Sequence, residues 1–372
     1  GGEEKKERVQ DILIDAARIY SRAGEESLDV DAEEESHDLT SHMRFLSKDD
    51  AFARSLGMKE LQQHAANMRP PRDRITCLLV GNHSAGKSSF VNWYCGEKIQ
   101  NESVAIETAG ITIIRRGKKR TSWKGKQTLH AFPHLQHLCE MPGLLDFLST
   151  EFSTSDAREF PLVEFIDTPG MTDGTLKYPF PVDDVICELA EHANMILVCL
   201  DPIGKALVGR CMKVVEQMAL QHSSKMMFCL TKFDTAGDEV DRTNVVSQIV
   251  QELTGRLKAT HAVKLHTIYI PERADEATRN IVPNQIEGMC EALSHEINAR
   301  VQGVLTQMTK DCDAVTKLVN LKLERHRRAA AQNRMASLWG TLLPLMIGPL
   351  IGAVLYCLLI NLAGVDPMLV CD

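Results

Sequence analysis

The spacing of apolar residues changes three times along this chain. Through residue 69 it reads as helices interrupted by an acidic stretch, "EESLDVDAEEESHD" (25–38), and the paired prolines of "RPPR" (69–72) break any helix there. From Ile75 short apolar runs alternate with helix-like segments. The runs are "ITCLLV" (75–80), "LVEFI" (162–166), "NMILVCL" (194–200), "MMFCLT" (226–231) and "LHTIYI" (265–270). Such alternation predicts an α/β fold, a mostly parallel sheet covered by helices. From Asn284 the apolar positions become Ile286, Cys290, Leu293, Ile297, Val301, Val304, Met308, Cys312, Val315 and Val319, an 11-residue repeat. That period belongs to a nearly straight helix with one apolar stripe, extending on the order of 50 Å. The stripe needs a partner. The N-terminal helices would give a composite bundle from both flanks, and the sheet domain itself is the alternative.

A last segment, "MASLWGTLLPLMIGPLIGAVLYCLLINLAGV" (335–365), carries no charge between Arg334 and Asp366. Roughly 20 apolar residues suffice to span a bilayer. Arg325, Arg327, Arg328 and Arg334 precede it and no Lys or Arg follows. The positive-inside rule then keeps everything before it in the cytosol, as in a single-pass tail anchor. Pro344 and Pro349 could instead fold it into a re-entrant hairpin, and a buried helix is the third option.

Composition sharpens this only in places. A net charge of −8 over 372 residues argues against a general nucleic-acid binder. The eleven scattered cysteines contain no C-x-x-C pair and fit free thiols in a reducing compartment. Cys77, Cys199 and Cys229 fall in strand-like runs and read as core residues. The run "RRGKKRTSWKGK" (115–126) is basic, readable as a solvated hairpin or as a surface for anionic lipid headgroups.

The chemistry concentrates in "GNHSAGKSS", residues 81–89. G-x-x-x-x-G-K-S after a strand and before a helix is a phosphate loop. Its glycines let the backbone N–H groups of Gly81, Asn82, His83, Ser84, Ala85, Gly86, Lys87, Ser88 and Ser89 face phosphate oxygens, aided by the helix N-terminus. Lys87 should reach the β- and γ-phosphates, and Ser88 should ligate Mg²⁺. In "FIDTPG" (165–170), Asp167 would hold Mg²⁺ through water and the Gly170 N–H would sense the γ-phosphate. In "LTKFD" (230–234) the stem of Lys232 can pack on a base, and Asp234 can accept from guanine N1 and N2, donors that adenine lacks. Three motifs in order, each closing a strand, predict a GTP/GDP site. The 80 residues between Lys87 and Asp167 leave room for an enlarged switch region, and Met171 stands where small GTPases place a water-orienting Gln.

These residues resemble the dynamin superfamily of large GTPases, and within it the EH-domain-containing (EHD) ATPases and the sarcalumenin-type G domain. "ETAGITIIRRG" (107–117) and "DVICELAEHANMILVCLDPIG" (184–204) add to the likeness, which covers about residues 40–330. The tail departs from it, with an apolar segment where EHD proteins carry a peptide-binding EH domain. The resemblance implies that Thr108 is the switch-I threonine completing Mg²⁺ coordination, with Thr112 as the other register. It implies that Ser84 neutralises transition-state charge and that His83 stands where dynamins position the water with Gln. Thr231 gives the dynamin form of the base motif, which favours GTP, whereas EHD proteins prefer ATP.

The expected organisation is an N-terminal helical segment (1–74), a dynamin-type G domain (75–275), a stalk-like helix (276–334), an anchor (335–365) and a short tail (366–372). The expected activity is GTP hydrolysis with Mg²⁺, coupled to homodimer or homo-oligomer assembly through G domains. On the lipid bilayer of the endoplasmic reticulum, the outer mitochondrion or another organelle, that assembly would remodel, tether or fuse membrane. An EHD-like ATPase, a nucleotide-binding switch or scaffold, and a luminal sarcalumenin-like role are the alternatives.

Overall fold

The computed structural model describes Val9, Asp11, Ile12, Arg72 and residues 74–100, 110–172, 178–203, 209–257 and 263–363. The acidic stretch, nearly all of the N-terminal helical segment, Thr108 and the tail 366–372 lie outside the described residues.

Eight strands form one sheet: β1 (Ile75–Gly81), β2 (Ile111–Arg116), β3 (Thr121–Lys124), β4 (Leu148–Ser153), β5 (Val163–Asp167), β6 (Met195–Leu200), β7 (Met226–Leu230) and β8 (Leu265–Thr267). Their order is β3-β4-β2-β5-β1-β6-β7-β8. All neighbours are parallel except β2–β5 and β3–β4. From β1 onward the described α-helices are α1 (Lys87–Cys95), α2 (Lys126–Ala131), α3 (Val182–His192), α4 (Gly209–His222), α5 (Glu239–Arg256), α6 (Glu276–Ile281) and α7 (Ile286–Ala363).

Apolar β1 lies at the centre of the sheet with every residue buried, as a strand covered on both faces must be. On one face Leu78, Val80, Ile166, Ile196 and Val198 join a core with Val185, Ile186 and Leu189 of α3. On the other, Phe165 meets Tyr94 edge-on at 5.1 Å and Phe90 at 6.3 Å, and stacks with Phe160 at 6.5 Å between ring centres. Cys77, Cys199 and Cys229 sit buried in β1, β6 and β7 as expected. Burial pushes all three thiols up, Cys199 to about 12, which leaves them inert packing groups.

The basic run 115–126 is no hairpin. It closes β2, turns and forms β3, and the two strands lie on opposite sides of β4. Exposed Lys118, Lys119, Arg120 and Lys124 thus flank or occupy an edge strand, where charge blocks unwanted pairing.

The described residues divide into two compact units, the first ending at Gln307 and the second beginning at Met308. In the first, α7 buries Ile286, Met289, Leu293, Ile297, Val301 and Val304. Beyond them Asp311 and Ala314 are buried while Cys312 and Val319 are exposed. The buried stripe therefore agrees with the 11-residue series at Leu293, Ile297, Val301 and Val304 but departs from it by one position at Met289 and Asp311, as the ordinary turn of about 3.6 residues allows. In the second unit α7 runs unbroken through Pro344 and Pro349, so a re-entrant hairpin is not formed. Its apolar stretch reaches a mean hydropathy of 2.3 with none of that window buried. Residues such as Leu345, Met346 and Leu350 are 70–74% exposed, a surface suited to lipid and costly in water.

Phe165→Ala should lower the unfolding free energy by about 3–5 kcal/mol, because three rings would face a cavity. A fall in urea midpoint at unchanged slope is the expected reading, and an unchanged midpoint would contradict this packing.

Candidate functional site

The phosphate loop is shaped by two close approaches. A Cβ at Gly81 would lie 2.3 Å from the Cys199 carbonyl oxygen, so only glycine lets β1 end against β6. A Cβ at Gly170 would lie 2.5 Å from His83 Cα, so "DTPG" can pass beside the loop. Backbone bonds lock the two segments together: His83 N–H donates to the Met171 carbonyl and Met171 N–H to that of Gly81, each at 3.1 Å. Ser84 and Gly86 then adopt left-handed backbone conformations, φ 59° and 73°, which turn the chain into α1. Ser84 is exposed and His83 half-buried.

The charged groups converge behind this loop. Lys87 is 6% exposed, and its ammonium donates to the carbonyls of Asn82 at 3.0 Å and Gly81 at 3.3 Å. Ser88 Oγ donates to Asp167 Oδ2 at 2.6 Å. Asp167 is fully buried, and its Oδ1 has no hydrogen-bond partner among the described residues. Burial raises the Asp167 carboxyl above the usual carboxylate range, against the opposing pull of Lys87 and the Ser88 hydrogen bond. Thr168 Oγ1 donates to the Leu79 carbonyl at 2.7 Å, and Tyr178 OH donates to that of Gly170 at 2.6 Å. An orphaned carboxylate oxygen beside a serine hydroxyl is an all-oxygen donor set, the kind that suits Mg²⁺.

The base-side motif follows β7. Thr231 Oγ1 lies 3.0 Å from the Ala85 carbonyl and 2.9 Å from that of Leu200, tying this segment to the phosphate loop. Lys232 is left-handed at φ 51°, an unusual state for a residue with a Cβ, and opens a tight turn over Phe233–Thr235. Its ammonium meets Asp201 at 2.8 Å, and half-buried Asp234 follows in the turn.

The structure thus brings the residues from Gly81 to Ser89, with Asp167, Gly170 and Thr231, to the carboxyl ends of adjacent parallel strands, where open α/β sheets bind ligands. Thr112 lies within β2, opposite Asp167 in register, with its hydroxyl 3.1 Å from that of Ser149. Met171 is fully buried and acts through its backbone. Sequence reasoning passed over Tyr178 and gave Asp201 no role; it expected the segment from Pro271 to contact the base, but "PERAD" matches no base-contact motif. There Arg273 donates to Ser89 Oγ at 3.3 Å, and Glu272 accepts from Trp93 Nε1 at 3.2 Å. Only the position of Asp201, directly after an apolar strand, was a visible signal.

Asp167→Asn should stabilise the nucleotide-free protein at neutral pH while weakening Mg²⁺-dependent nucleotide binding. A carboxyl whose folded pKa is raised contributes stability below its unfolded pKa and loses it as pH rises through the folded value. The amide avoids that loss. Its higher melting temperature at pH 7 should therefore vanish below about pH 4, near the unperturbed Asp value. A lower melting temperature at pH 7 would contradict the account.

Residues 77–249 match the family model described as the dynamin family. No curated protein matches the chain. Among solved structures, a member of an oligomerised bacterial dynamin pair, described as sensing and tethering membranes over long range, aligns at 14% identity with a TM-score of 0.49. The alignment covers 87% of this chain and 52% of that one, so the chain spans about half the length of that relative. A dimerization-deficient mutant of Toc33 from Arabidopsis thaliana aligns at 14% identity and TM-score 0.38, over 68% of this chain and 94% of that one. Era of Aquifex aeolicus bound to GDP·AlF4⁻ aligns at 16% identity and TM-score 0.31, over 55% of each chain. The stretch that resembles the dynamin-family model, residues 77–249, holds the phosphate loop, Asp167 and the base-side turn at one end of the sheet.

Proposed function

We propose that the protein is a membrane-anchored, dynamin-like GTPase that hydrolyses GTP to GDP and phosphate and couples G-domain assembly to membrane remodelling, tethering or fusion. The observation that carries this reading is the Ser88–Asp167 pair at 2.6 Å with buried Lys87 beside it. These groups are costly to bury and are preorganised for a magnesium–triphosphate. Ser88 and Asp167 would hold Mg²⁺, whose charge would offset that developing on the phosphates.

Each residue then has a task. Lys87 exchanges its loop carbonyls for the β- and γ-phosphates. Ser88, Asp167 and Thr108 form the metal side, and the Gly170 N–H meets the γ-phosphate. Ser84 offsets charge at the leaving oxygens, and His83 with Thr108 orients the attacking water in place of the Gln that Met171 replaces. Lys232, its head held by Asp201, offers its stem to the base, and Asp234 accepts from guanine N1 and N2. The segment ending at Ala363 crosses the bilayer once with the G domain in the cytosol, as its preceding arginines suggest.

The test is turnover of the full chain in liposomes with GTP or ATP, over a wide range of protein density, with Lys87→Ala as the blank. GTP selectivity with turnover rising steeply with density is expected. ATP preference would move the chain to the EHD type, and slow, density-independent turnover would favour a switch or scaffold. Asp234→Ala should cost about 1–3 kcal/mol of guanine preference, the scale of a bidentate contact to a base edge, and leave ATP binding unchanged. Equal losses for both nucleotides would remove Asp234 as the selector.

A further inference from the structure

On the side of the G domain where β1 begins, away from the phosphate loop, a second group of side chains converges. Glu188 and His192 lie four residues apart in the last turns of α3, and so share one helix face. His137 reaches them from a 3-10 segment, Pro133–Glu140, in the β3–β4 insertion. One ligand atom from each of the three lies within 4.8 Å of the others. We propose that His137, Glu188 and His192 bind a borderline divalent metal ion, Zn²⁺ or a similar first-row cation, that pins the insertion to α3.

Three observations support the assignment. His137 Nε2 lies 2.8 Å from Glu188 Oε1, and the atom is shielded from solvent without a hydrogen bond, although the two side chains are 38% and 32% exposed. A close contact without a hydrogen bond is compatible with two ligands of one ion. Two tetrahedral ligands about 2.1 Å from a shared zinc stand about 3.4 Å apart, so the 2.8 Å pair opens slightly and a pair at the 4.8 Å limit closes by up to about 1.4 Å. Two imidazoles and one carboxylate form a donor set typical of zinc with a fourth position open to water.

The surroundings favour a fixed site. Leu135 and Leu138 anchor the 3-10 segment in the core, and Ile186 and Leu189 anchor α3, so the ligands project from packed elements. The carboxyl end of α3 adds the negative pole of its dipole. Arg72 faces the group too, but its guanidinium is engaged by the His192 carbonyl at 2.6 Å. His134 packs its ring 5.7 Å from that of His192.

The full chain in detergent, with excess Mg²⁺ to satisfy the nucleotide site, is titrated with Zn²⁺ against a competing chelator. One equivalent should bind and raise the melting temperature, as binding to the native state alone requires. Glu188→Gln and His137→Ala should each weaken binding at least about 10-fold, the lower end of what loss of a mere outer-shell partner costs. Co²⁺ in place of Zn²⁺ should give an absorption spectrum of nitrogen and oxygen ligation without a thiolate charge-transfer band. That spectrum reports on the unsubstituted protein even if a variant fails to fold. Unchanged affinity in both folded variants, a thiolate band from cysteines such as exposed Cys139, or no retained Zn²⁺ would each overturn the proposal.

Discussion

A carboxylate taken entirely out of water is the constraint around which the site is built. Asp167 ends β5 at the middle of the sheet, with one oxygen held by Ser88 and the other without a partner among the described residues. Its raised pKa shows that the nearby Lys87 ammonium and the Ser88 hydroxyl do not fully offset the loss of hydration. Such a group is a liability in an empty site, and a divalent cation would remove it. In the function proposed above, the same feature that weakens the nucleotide-free fold would supply affinity for a magnesium–nucleotide complex.

The rest of the domain keeps that carboxylate in place. Gly81 must be glycine for β1 to meet β6, and Gly170 must be glycine for the segment after β5 to pass His83. The paired backbone bonds between Met171 and the loop make the phosphate loop and the segment after β5 one mechanical unit. A γ-phosphate that displaces the Lys87 ammonium from its loop carbonyls would act on both at once. The Thr231 hydroxyl, bonded near Ala85 and Leu200, links the same loop to the base-side turn.

Much of this was legible in the sequence because the signals are local. A phosphate loop, "DTPG" and "TKFD" each require particular residues at fixed spacing, and long apolar runs located β1, β5, β6, β7 and β8. Strands β2, β3 and β4 escaped notice for physical reasons. "ITIIRR" merges with the basic run, "TSWK" is a mostly exposed edge, and "LSTEFS" buries Thr150 and Ser153 through hydrogen bonds rather than apolarity. Asp201 and Tyr178 act through partners distant in sequence, which no spacing rule reveals. The stripe of α7 was found but its late register was not, because an 11-residue repeat and a 3.6-residue turn diverge only slowly.

The central claim, that Ser88 and Asp167 form the metal side of a nucleotide site, is tested most directly by the magnesium dependence of GTP-analogue binding. The full-length protein should bind a fluorescent, non-hydrolysable GTP analogue tightly with Mg²⁺ and far more weakly once the ion is chelated. Ser88→Ala should bind weakly in both conditions. Equal affinity with and without Mg²⁺ in the unsubstituted protein, or undiminished Mg²⁺ dependence in Ser88→Ala, would contradict the account.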